Sequence, residues 1–150
     1  MPIRWPKKKL SGYVQRYLPR FLATAWGAWA AATAVAYMDK VPPQLEAVDG
    51  AISAPVWLLW TVAAAALTLG VLVPSSASAR VQDIARWSRI LGMTIIIAEL
   101  VIWTAAFFVD QPRGWVSGKN YLMLLINALF CTWTIAQTKA RGKRVVPGGD

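Results

Sequence analysis

The chain has no histidine, a single cysteine, and 7 acidic residues against 16 basic ones in 150. With Cys131 alone and no histidine, neither an intrachain disulfide nor a zinc site of the usual type can be assembled, so no metal and no metal cofactor is expected. So few and scattered acids leave no place for a hydrolase built on paired carboxylates. The phosphate-binding glycine loop, the Gly-x-Ser-x-Gly elbow and the His-Glu-x-x-His helix are missing too, and no catalysis is expected. Cys131 lies inside an apolar block, where a small buried thiol is the ordinary role.

Charge of either sign is scarce, at 15% of residues, while 57% are hydrophobic. The apolar residues gather into four nearly charge-free blocks, Phe21 to Met38, Ile52 to Val73, Ile90 to Val109 and Tyr121 to Gln137. Each approaches the ~20 residues a helix needs to cross a ~30 Å hydrocarbon core. In lipid the backbone must satisfy its own hydrogen bonds, and blocks of this length do so as helices rather than as the shorter, alternating strands of a barrel. The expected fold is an all-α membrane protein, with four transmembrane helices in an antiparallel bundle. It divides into a basic segment 1–20, a membrane domain 21–138 and a basic tail 139–150.

The net charge of +9 belongs to the flanks of these blocks. Arg4, Lys7, Lys8, Lys9, Arg16 and Arg20 precede the first block. Arg80, Arg86 and Arg89 lie between the second and third, and Lys139, Arg141, Lys143 and Arg144 follow the fourth. Those thirteen face only Lys40, Arg113 and Lys119 on the other side. The positive-inside bias then puts both termini and the middle connection in the cytoplasm, with the basic side chains against anionic lipid headgroups rather than nucleic acid. A basic start, an apolar stretch and the triplet Ala34, Val35, Ala36 also describe a secretory signal. Residues 1–20 are long for its basic region, however, and the charge count fits an uncleaved first span.

Trp57, Trp60, Trp87, Trp115 and Trp133 fall near the expected interfaces, where an apolar ring with a polar N–H anchors a span. Before the first block, Leu10, Tyr13, Val14, Tyr17 and Leu18 recur at helical spacing with basic residues on other faces. This pattern fits a short amphipathic helix in the cytoplasmic interface, ended by a bend at Pro19, and equally a plain extension of the first span. The connections Asp39 to Gly50 and Asp110 to Asn120 hold the prolines and glycines that reverse a chain.

Glu99 stands near the middle of the third block, among isoleucines. An ionisable group at that depth costs about 2.5–3.5 kcal/mol and must be neutralised, paired or turned toward a wet interior. Asn127, at similar depth in the fourth block, is its expected partner, since antiparallel neighbours bring the two together; pore lining and transport coupling are the other roles open to Glu99. Gly27 and Ala31, four residues apart and preceded by Ala23, and Ala66 with Gly70, mark faces where helices approach closely.

Four tryptophan-rich spans, a basic start and tail, and the Pro-Arg-Gly-Trp turn at Pro112 to Trp115, followed by Asn120 and Tyr121, resemble small membrane proteins of actinobacterial bacteriophages. That resemblance implies a holin-like product that forms homo-oligomers in the host inner membrane and opens lesions during lysis. Glu99, Thr94, Thr104 and Asn127 would then line the opening. Four spans and one embedded glutamate also resemble the small multidrug resistance exporters, which are proton-coupled. Their essential glutamate lies in the first span, however, and dual-topology members lack a charge bias as strong as this one. A non-catalytic accessory or interaction protein of the membrane is the third class consistent with the sequence.

Overall fold

The computed structural model describes residues 7–43, 45–46, 50, 54–109 and 114–137, with side chains from Tyr17 onward. Four long α-helices, and no strand, are found among these residues: α1 (Lys7–Ala36), α2 (Val56–Leu72), α3 (Ala79–Val109) and α4 (Trp115–Gln137). Their apolar stretches overlap the four expected blocks, but α2 begins at Val56 rather than Ile52 and α4 at Trp115 rather than Tyr121, and two further differences are larger.

The first difference is at Pro19. The expected bend does not end a helix there, because α1 runs unbroken from Lys7 to Ala36 with Pro19 inside it. The amphipathic segment is therefore the first part of α1 and not a separate interfacial helix. A proline removes a single backbone donor, and helices packed in apolar surroundings tolerate that loss. Here Pro19 is buried and the turns that follow it pack along α2.

The second difference is at the start of α3, which begins at Ala79 rather than Ile90. Ser78 caps it, accepting the Val81 N–H at its hydroxyl and the Gln82 N–H at its carbonyl. A serine at that position satisfies donors that the first turn would otherwise leave open. Gln82 then donates to the Ser75 and Ala77 carbonyls and ties down the turn after α2. The middle connection with its arginines is thus largely helix.

Each helix packs along the next in sequence, whereas α1 touches α3 and α4 only slightly. Residue pairs fix the directions. Gly27 faces Leu67, and Trp29 meets Trp60, so α1 and α2 are antiparallel. Gly70 faces Ala85 and Gly92 faces Leu67, while Trp60 meets Trp103, so α2 and α3 are antiparallel. Arg86 reaches Ala136 at one end of the α3–α4 pair, and Phe108 meets Trp115 at the other. The result is an up-down-up-down arrangement with one loosely closed seam, between α1 and α4.

Glycine sets the spacing of the tightest seam. A β-carbon on Gly92 would stand 2.9 Å from the Ala63 carbonyl oxygen, and one on Gly70 2.7 Å from that of Ala85. Only a residue without a side chain lets α2 and α3 approach so closely. Among the described helices α3 alone is both long and apolar enough to cross a membrane, with a mean hydropathy of 2.1 over its most apolar stretch. The 17 residues of α2 are apolar but span only about 26 Å.

Candidate functional site

The interior is organised by aromatic rings. Trp29 on α1 meets Trp60 on α2 edge to face at 5.1 Å, and Trp60 meets Trp103 on α3 at 5.2 Å. Trp103 in turn stands edge to face with Tyr37 at 5.0 Å and with Tyr121 on α4 at 5.3 Å. Trp26 extends the chain of rings at one end and Phe107 at the other. Edge-to-face contacts place the positive rim of one ring on the negative face of the next and add about 0.5–1.5 kcal/mol each beyond burial.

Glu99 lies in this interior, one helical turn before Trp103 and only 2% exposed. The Trp103 indole approaches its carboxylate without closing a well-formed hydrogen bond to Oε2, and the buried indole N–H of Trp60 has no partner among the described residues. Buried polar atoms with bonding this incomplete are expensive unless something else supplies a partner. Trp29, Tyr37, Trp103 and Tyr121 also bound an open cleft of about 310 Å³ at the α1–α4 seam, with small residues of α1 on its wall.

Asn127 is not the partner of Glu99. It is exposed on the outer face of α4, where its side-chain oxygen accepts a bond of 3.4 Å from the Cys131 thiol, whereas Glu99 points into the core. Both residues are at similar depth, but helical phase turns them to opposite sides. The other members of the expected polar stripe divide the same way: Thr104 is buried and Thr94 exposed, and each hydroxyl donates to a carbonyl one turn back on its own helix. Among the described residues these four do not form a single polar face.

Arginines meet helix ends. Arg20 donates to the Val73 carbonyl at 2.8 Å and Arg86 to that of Ala136 at 2.7 Å, while Arg89 donates to that of Gly70. The last carbonyls of a helix have no intrahelical donors and carry partial negative charge, so cations from neighbouring helices satisfy both. Arg80 is exposed. Lys7, Lys8, Lys9 and Arg16 belong to α1, and nothing is described of their side chains; Lys139, Arg141, Lys143 and Arg144 lie outside the described residues.

Of the five expected anchor tryptophans, Trp87, Trp115 and Trp133 are exposed by 62%, 50% and 59%. Trp57 is half-buried. Trp60 is a correction: it is completely buried in the aromatic core and anchors nothing at a surface. Sequence reading missed Trp26, Trp29 and Trp103, although Trp103 falls too deep in its block for an interface. Among the expected packing residues Gly27, Ala66 and Gly70 are buried, and the Ala66 carbonyl also accepts the Ser88 hydroxyl at 2.6 Å. Ala31 is exposed, and the buried stripe of α1 passes through Ala23, Ala30 and Ala34 instead.

No group of residues suited to holding a metal occurs among those described. No family model, no curated protein and no solved structure matches the chain.

Proposed function

We propose that the chain is an integral protein of a bacterial inner membrane, the host's in the case of a phage product. It crosses that membrane four times with both ends in the cytoplasm. Copies associate within the bilayer and permeabilise it in the manner of a holin. The thirteen-to-three charge distribution supports the orientation. The outer surface supports the medium: large apolar residues such as Phe21, Leu69, Leu91, Val109 and Met123 are exposed all round the helices, as lipid contact requires and water disfavours.

The observation that carries self-association is Asn127. Its amide stands among the exposed apolar residues Met123, Ile126 and Phe130, and its two N–H donors have no partner among the described residues. In hydrocarbon an amide in that position is stabilised by bonding to the same residue of a second copy, worth about 0.6–2 kcal/mol. Once copies gather through α4, Asn127 and Thr94 are the polar groups available to line a lesion.

Inducible expression in a bacterial host, with membrane potential and viability followed in time, tests the proposal. Abrupt depolarisation at a set time is expected, delayed or abolished by Asn127→Leu. Stable insertion without depolarisation or growth defect overturns it.

A further inference from the structure

The cleft at the α1–α4 seam has the chemistry of a ligand site, and it lies apart from the α4 face used for association. Its boundary holds four aromatic residues from three helices, Trp29 and Tyr37 near or beyond the end of α1, Trp103 on α3 and Tyr121 on α4. Ala32 and Ala36 keep the α1 wall low. The cleft is open to the surroundings, and its volume of about 310 Å³ suits a small organic molecule.

The character of that molecule follows from the electrostatics. Aromatic rings present negative faces, and a cation within about 6 Å of a ring centroid is attracted to them, most strongly when desolvated. Beneath Trp103, one turn along α3 and about 5–6 Å away between β-carbons, lies Glu99, behind the lining of the cleft, its carboxylate approached by the Trp103 indole and its Oε2 atom held by no well-formed hydrogen bond. The tail of α3 nearest the cleft, from Trp103 to Val109, offers no basic side chain; Arg20 and Arg86 sit at the other end of the helices, and at this end the exposed Lys40 and Lys119 are accompanied by the exposed Asp39 and Glu46. A neutral apolar ligand would leave Glu99 unused. A hard inorganic cation favours several carboxylate or carbonyl oxygens, whereas the side chains lining the cleft offer only the hydroxyls of Thr33, Tyr37 and Tyr121.

We propose that this cleft binds an organic cation of the quaternary-ammonium class, held by the rings of Trp29, Tyr37, Trp103 and Tyr121 with Glu99 as its counter-charge. The site is independent of the lesion-forming reading and stands or falls separately from it.

The test uses the full chain, labelled with ¹⁵N at its tryptophan indoles, in lipid nanodiscs of phosphatidylglycerol, with tetraethylammonium as the probe. The indole signals of Trp29 and Trp103 shift saturably, those of the exposed Trp87, Trp115 and Trp133 do not move, and the uncharged isostere 3,3-diethylpentane gives no saturable shift. Glu99→Gln weakens binding by about tenfold or more. Ala32→Leu, on the exposed wall, blocks the cleft while leaving the indole spectrum of the core intact, and so tests the site even where the glutamate variant folds poorly. In discs of phosphatidylcholine the same shifts before any addition identify the occupant as a lipid headgroup, and their absence identifies it as a free cation; both support the site. No saturable shift, equal shifts with the uncharged isostere, or undiminished binding in Ala32→Leu overturns it.

Discussion

Trp60 and Trp103 meet edge to face at 5.2 Å, both essentially inaccessible, and the Trp60 indole N–H has no hydrogen-bond partner among the described residues. Each ring therefore contributes packing, while the orphaned Trp60 N–H contributes a desolvation penalty of about 1–3 kcal/mol. The two effects can be separated. Trp60→Ala is expected to destabilise the fold by about 3–5 kcal/mol through the cavity it leaves. Trp60→Phe keeps most of the ring and removes the orphaned donor, so it is expected to cost much less. Denaturant titration in mixed micelles, followed by near-ultraviolet circular dichroism, distinguishes them; equal losses would contradict the assignment.

The α2–α3 seam depends on Gly92. Substituting valine forces atoms against the Ala63 carbonyl and the Leu67 side chain, and overpacking of this kind typically costs about 1–3 kcal/mol. Ala31→Val, on the exposed side of α1, is the control and is expected to change stability by less than about 0.5 kcal/mol. The same unfolding measurement reads both.

Arg86 and Arg89 are predicted to act as helix-end donors rather than only as lipid contacts. Loss of a hydrogen bond from a charged group costs about 1.5–3 kcal/mol, so Arg86→Ala and Arg89→Ala are expected to lower stability, while exposed Arg80→Ala is not. Amide hydrogen exchange adds a local reading. Faster exchange confined to the last turns of α4 in the first variant and of α2 in the second is the expected pattern.

Brominated lipids quench tryptophans they can touch. Variants that retain only Trp87, Trp115 or Trp133 are expected to be quenched in such bilayers, whereas a variant that retains only Trp60 is expected to be protected. Equal quenching of Trp60 would place it at the surface and contradict the aromatic core.

The four helices were legible because long charge-free blocks have few alternatives to helix, and their antiparallel order followed from short connections. What the sequence obscured was phase. Glu99 and Asn127 match in depth, yet the rotation of α4 turns Asn127 outward, and rotation depends on packing against neighbours that no single block reveals. The alanine-rich face of α1 misled in the same way, since Ala30 and Ala31 are chemically identical and only contact with α2 selects one. Arg86 and Arg89 read as loop charges because the carbonyls they cap, at Ala136 and Gly70, are distant in sequence. Trp103 carried a usable signal: a tryptophan that deep, one turn from Glu99, has no interface to anchor and belongs to a core.

Release of entrapped dye from liposomes reconstituted with the purified chain over a range of protein densities is the most direct test of the proposed activity. A steep threshold in density is expected, because the lesion requires several copies, and Asn127→Leu should move that threshold to higher density without lowering the thermal stability of the protomer. Dye retained at every density, or release that rises in simple proportion to protein and is indifferent to Asn127, would contradict the account.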